Sequence, residues 1–263
     1  MDNAYQEVPA SRMRKNSAPV TLSGVRFSAL SREETEQKIR DLLQQAGNAR
    51  IFTPNPDMLW QAQRDSELKE ILNQADLLLP DGVGVTLAAR LKGTPLPALL
   101  PGIDTAEWLL SYAAEQGLSV FLLGGKPHVA QQAASRLQAK HPALVVCGTH
   151  HGYFDKTANG AENQAVLRQI RDARPDLLFV CLGVPLQEKW IAENTPTLPS
   201  LRLSMGLGGA LDVWSGALRR APALFRRTGT EWLWRTLREP RRIGPLLHAP
   251  AFLASAVAER RKS

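Results

Sequence analysis

The apolar run "ADLLLP" (75–80) gives way to Asp81, Gly82, Val83 and Gly84. A carboxylate where a buried strand hands over to a helix has two jobs open to it. It can cap the helix that starts near Val83, or it can take a proton from a substrate hydroxyl when its neighbours set its pKa suitably. Its company favours proton transfer. Thr53 and Asn55 in "TPN", Gln187 in "GVPLQEKW" and Asp212 in "GLGGALD" also stand just after apolar runs. Gly124 and Gly125, followed by Lys126 and a helix starting after Pro127, offer backbone N–H groups to a phosphate.

Other patterns carry less. Gly82 and Gly84 open a G-x-G-x-x-G dinucleotide fingerprint, but Leu87 stands where the third glycine belongs. His150 and His151 are adjacent on a loop, without the i, i+4 spacing of a helical zinc pair and without a third ligand. No D-x-D pair is present to hold a divalent cation on a nucleotide diphosphate. Neither a metal nor another cofactor is therefore expected. Arginines near the carboxyl end, with Arg219, Arg220, Arg226 and Arg227 as candidates, would offset diphosphate charge instead.

For these side chains to meet, the intervening elements must deliver them to one place. "VTLSGVRFSAL" (20–30) alternates around a glycine and reads as a short hairpin. Ser31 and Glu34 form a capping box for a helix over 31–46. Apolar runs at 49–53, 75–80, 118–125, 143–148, 176–183 and 201–209 then alternate with helical patterns at 56–72, 83–92, 104–116, 127–140, 161–173 and 186–194. Strands apolar on both faces, separated by amphipathic helices, predict an α/β fold with a mostly parallel sheet covered on both sides. In such a sheet, ligands occupy the crevice beyond the carboxyl ends of the strands, where all of the residues above fall.

Composition sets the rest. The 263 residues, 44% hydrophobic, suffice for one large core, assigned to 19–217. The formal charge of +7 is uneven: from Arg219 onward there are eleven Lys/Arg against three Asp/Glu. Residues 218–263 also carry Phe225, Trp232 and Trp234, and basic, aromatic and amphipathic character together suggests an appendage lying in an anionic membrane interface. No nucleic-acid recognition module accompanies the charge, so no nucleic-acid partner is expected. Cys147 and Cys181 end apolar runs and read as buried thiols in a reducing cytoplasm. Residues 1–18 are polar, patternless and expected to be disordered; no signal peptide and no membrane-spanning segment is expected.

Seven segments together resemble one family: "TPNPDMLW", "ADLLLPDGVGV", "PGIDT", "FLLGGKP", "DLLFVCLGVPLQEKW", "GLGGALDVWSG" and "RRAPALFRRTGTEWLWRTLREPRRI". Their order and spacing over about residues 20–245 are similar to those of the WecG/TagA/CpsF glycosyltransferases. The resemblance implies a Rossmann-like core and a metal-independent, inverting transfer of a sugar, best known as N-acetylmannosamine, from a UDP-sugar to an undecaprenyl-diphosphate-linked saccharide. It places the protein in the cytoplasm, peripheral on the inner membrane face, in teichoic acid or other surface-polysaccharide assembly. It also implies that Asp81 is the catalytic base, that Thr53, Asn55 and Gln187 line the pocket, and that Asp212 lies near the nucleotide. One position departs: Leu99 or Leu100 stands where some members carry an arginine just before "PGID". If that arginine contacts the diphosphate in relatives, another must substitute here, or the acceptor differs.

Two other readings compete. A nucleotide-dependent oxidoreductase would use the 82–84 turn, and a non-catalytic membrane-surface protein would bind no UDP. The sugar, the acceptor and the oligomeric state, with a homo-oligomer among the options, stay open from sequence.

Overall fold

The computed structural model describes residues 18–222, Phe225, Glu231, Trp234 and residues 243–260. The expected disordered start, and Arg226 and Arg227 of the tail, lie outside the described residues.

The hairpin forms as β1 (Val20–Leu22) and β2 (Val25–Phe27), antiparallel and separate from the main sheet. Helix α1 (Arg32–Gln44) starts on the predicted capping box: the Ser31 hydroxyl accepts from the Glu34 N–H, and the Glu34 carboxylate accepts from the Ser31 N–H. Strand β3 (Ala49–Phe52) follows. The helix expected over 56–72 is two helices, α2 (Pro56–Ala62) and α3 (Ser66–Asn73). Asp65 makes the break, because its carboxylate accepts the Leu68 N–H at 3.0 Å and caps a new helix. Next come β4 (Leu77–Leu78), α4 (Val83–Lys92), α5 (Gly102–Gln116), β5 (Ser119–Gly124), α6 (Val129–Lys140) and β6 (Val145–His150). They are followed by α7 (Ala161–Ala173), β7 (Leu177–Cys181), α8 (Leu186–Asn194), β8 (Leu203–Gly206), α9 (Ala210–Trp214) and, past the tail arginines, α10 (Ile243–Arg260).

Six strands form one all-parallel sheet in the order β4-β3-β8-β7-β5-β6. Alternate side chains feed two cores, since neighbouring strand residues point to opposite faces. Phe52, Phe121, Leu123, Leu178 and Val180 meet α2, α3, α4, α7, α8 and α10 on one face. Ile51, Val120, Leu122, Phe179 and Met205 meet α1, α5, α6 and α9 on the other. The helix after β5 and the helix after β7 lie on opposite faces, so the chain leaves these adjacent strands in opposite directions. That makes their shared carboxyl end the switch point at which such sheets open a crevice.

β6 departs from expectation. It begins two residues later than predicted and, as an edge strand, leaves Val145 exposed and Cys147 only half-buried, whereas Cys181 is buried. A central strand is covered on both sides; an edge strand is not.

Helix α10 belongs to the expected appendage, yet it packs into the body. Phe252 and Ala256 are buried in the core shared with α2 and α4. Lys92 at the end of α4 pairs with Glu259 at 2.9 Å, and Glu259 also accepts the Ser23 N–H at 2.9 Å from the hairpin. Phe252→Ala should therefore cost about 3 kcal/mol, the usual range for emptying a buried phenylalanine site. Chemical denaturation checks this; a loss below about 1 kcal/mol would mean that α10 rests on the body without contributing to its core.

Candidate active site

Three loop segments at the carboxyl rim are stitched by their backbones. The Asp81 N–H donates to Pro54 O at 3.1 Å, and the Leu100 N–H to Pro80 O at 3.0 Å. Glycines allow the close approach. A Cβ on Gly84 would lie 2.6 Å from Pro56 Cγ, and one on Gly102 would lie 2.7 Å from Thr53 Oγ1. Gly82 supplies the φ of +89° with which α4 begins. The G-x-G of this turn is thus explained by packing. Thr53, Asn55 and Asp81 are brought to one corner by these contacts.

Gly82, not Asp81, holds the N-cap position of α4. Asn55 does cap: its Oδ1 accepts the Met58 N–H at 2.9 Å, which fixes the side chain and turns its amide nitrogen to the other side. Thr53 is buried under Gly102.

At the switch point the two strand ends touch. A Cβ on Gly124 would lie 2.2 Å from Cys181 O, and Gly124 has φ +135°. The Gly125 N–H donates to Cys181 O at 3.3 Å, and Gly125 O accepts from the Gly152 N–H at 2.8 Å. The expected free donor at Gly125 is therefore spent within the protein. Helix α6 starts at Val129 without a side-chain cap bond, with the positive end of its dipole at its first turn. His150 Nδ1 donates to His151 O at 2.7 Å, and His151 Nδ1 accepts the Tyr153 N–H at 3.2 Å, so each ring is fixed by backbone. Burial holds the His150 pKa below its ordinary value, which favours the neutral ring.

Gln187 is buried, and both ends of its amide are engaged. Its Oε1 accepts the Gly208 N–H at 2.8 Å, and its Nε2 donates to Glu188 Oε1 at 2.7 Å. Asp212, in α9, lies close enough to Cys181 to add to the effect of burial, which pushes that thiol up to about 12. Arg219 is exposed. Arg220 is turned to the first turns of α5, where it pairs with Asp104, with Glu107 at 3.6 Å and with Glu231 at 3.5 Å. Three carboxylates hold its guanidinium near the start of α5.

Sequence reasoning passed over Asp104 and Glu188. The signal for Glu188 was its helical phase: it shares a stripe with Ile191 and Thr195, both buried. Glu188 is fully buried, and its Oε2 has no partner among the described residues. Burial raises its pKa from 4.5 to about 7, against the lowering effect of the Gln187 bond. The folded state thus holds a proton that the unfolded chain releases near 4.5. The stability this gives is fully present below that value and is lost as pH rises through about 7, on the order of 3 kcal/mol in all. Glu188→Gln cannot ionise, so it should match the wild type near pH 4.5 and exceed it in denaturation midpoint at pH 8. Parallel curves for the two proteins across that window would show that Glu188 ionises as freely folded as unfolded.

The family model described as "Glycosyl transferase WecG/TagA/CpsF family" matches residues 20–263. Proteins named N-acetylglucosaminyldiphosphoundecaprenol N-acetyl-beta-D-mannosaminyltransferase, from Staphylococcus aureus strains MW2 and MRSA252, are 34% identical over 251 residues, covering 95% of this chain and 96% of theirs. The whole α/β body, its rim loops and the segment that includes α10 fall within the match, and the chain belongs to the WecG/TagA/CpsF family of glycosyltransferases.

Proposed function

We propose that the protein transfers N-acetylmannosamine from its UDP-sugar to an N-acetylglucosaminyl-diphosphoundecaprenol acceptor, inverting the anomeric centre without a metal. The observation that carries this reading is the end-to-end match to transferases named for that sugar and that acceptor. Asp81 stands at the rim one residue ahead of the N-cap of α4, with its N–H tied to Pro54 O. In the proposed step it takes the proton of the acceptor hydroxyl. The acceptor oxygen bonds to the anomeric carbon, and the carbon–oxygen bond to UDP breaks, with the electron pair leaving on the diphosphate. Thr53 and the amide nitrogen of Asn55 orient the sugar, Asp212 serves the nucleotide, and the α6 amino end serves the diphosphate.

A panel of UDP-sugars offered with synthetic lipid-diphosphate acceptors tests the assignment. Turnover should be highest with UDP-N-acetylmannosamine; preference for UDP-glucose or another hexose would move the protein to exopolysaccharide assembly. Asp81→Asn should keep UDP binding and lower turnover by roughly 10²- to 10⁴-fold, the usual contribution of a general base. Near-normal turnover would remove Asp81 from the chemistry. EDTA should leave activity unchanged, and loss restored by Mg²⁺ or Mn²⁺ would refute the metal-free mechanism.

The acceptor's lipid calls for contact with a membrane surface. Among the described residues no helix is long and apolar enough to cross a membrane. Leu87 and Leu91, one turn apart on α4, are 41% and 37% exposed, and Val257 on the adjoining α10 is 37% exposed. These apolar side chains, together with the tail's excess positive charge, support peripheral attachment on the cytoplasmic face. Leu87→Glu with Leu91→Glu should reduce co-sedimentation with anionic liposomes while sparing turnover of a water-soluble acceptor. Undiminished sedimentation would leave attachment to the tail alone.

A further inference from the structure

Glu188 raises a question that the proposed chemistry does not answer. It is 0% exposed, and only one of its carboxylate oxygens has a partner among the described residues, the Gln187 amide. Keeping a half-satisfied acid buried costs stability, which calls for a compensating role.

Its surroundings define the task. Gln187 and Glu188 lie against the carboxyl end of β8, where Gly206 leaves them room. A Cβ on Gly206 would sit 3.0 Å from Gln187 Nε2 and 3.2 Å from Glu188 Oε1. From there the Gln187 Oε1 reaches the N–H of Gly208, which has φ +53° in the turn that starts α9. Asp212 lies one turn further on. A glutamine amide has two ends of nearly equal shape, and only a fixed partner decides which faces which way. If it rotated by half a turn, Nε2 would face the Gly208 N–H and the bond would become a clash of two donors. Glu188 opposes this, because its Oε1 accepts the Nε2 hydrogen bond and a rotated amide would bring oxygen against oxygen there.

We infer that Glu188 is a positioning residue that holds the Gln187 amide in one orientation, and through it the Gly208 turn and Asp212, for the nucleotide of the donor. The inference rests on the reading that a UDP-sugar lies over that turn. It also changes what Gln187 does: with both amide ends engaged internally, Gln187 fixes the loop.

Three variants test the relay. Glu188→Gln keeps an acceptor for Gln187. Glu188→Leu removes it together with the unpartnered oxygen while keeping similar volume, so the fold should survive. Gln187→Leu removes the relay itself. Glu188→Leu should raise the donor KM about tenfold, the effect of one lost hydrogen bond, with kcat and acceptor KM within about twofold of wild type. Glu188→Gln should stay within about twofold throughout. The Glu188→Leu/Gln187→Leu double variant should be no worse than Gln187→Leu, because both changes break the same chain of bonds. Effects that multiply in the double variant, or an unchanged donor KM in Glu188→Leu, would overturn the relay. Amide exchange at Gly208 gives a readout independent of activity: faster exchange in Glu188→Leu but not in Glu188→Gln supports the relay, and equal exchange in both refutes it. Calorimetry with UDP separates the two levels. A Gly208 effect in a protein that binds no UDP leaves the relay standing and defeats the donor assignment. If Glu188→Leu does not fold, Glu188→Met carries the same comparisons and outcomes.

Discussion

The site depends on bare glycine backbone packed closely against its neighbours at the carboxyl rim of the sheet. A Cβ on Gly124 would come within 2.2 Å of Cys181 O, and one on Gly84 within 2.6 Å of Pro56. No side chain larger than hydrogen fits these positions without moving a strand end or a helix start. The convergence of the rim loops follows, as does the close meeting of β5 and β7 where their helices part to opposite faces. The hydrophobic effect drives the two cores together, but it is indifferent to ångström-scale placement at the rim. Steric exclusion sets that placement.

Much of this was legible in the sequence because it is local. The alternation of apolar runs with amphipathic segments carried the parallel sheet, and α4, α7 and α8 begin and end where their patterns do. The capping box at Ser31 and Glu34 needs only a four-residue window, and it formed. What escaped depends on partners far along the chain. The break at Asp65 was hidden because helical periodicity continues across it, while a cap competes from within. Gly125 looked like a free donor until the end of β7 came to meet it.

Charged side chains were the least legible of all. Arg220 looked like a diphosphate ligand from its composition alone, but its partners Asp104 and Glu107 are more than a hundred positions away, and they decide its direction. Glu188 was passed over because acids are usually at the surface. Its burial is set by the helical stripe it shares with Ile191 and Thr195, and its significance by a glycine on a strand that comes later. A carboxylate's role is determined by where the rest of the chain leaves it.

The ion pair between Lys92 and Glu259 joins residues 167 positions apart, and this separation has a consequence for biosynthesis. During translation α4 emerges early, with the turn that carries Asp81 directly ahead of it. Its partner helix is still unmade. Until Phe252 and Ala256 arrive, one wall of the nascent core stays open to water or to whatever binds apolar surface near the ribosome. Maturation of the corner around Asp81 is therefore tied to late translation, and a ribosome stalled before α10 would present a sheet with its strands in place and its α4 face uncovered.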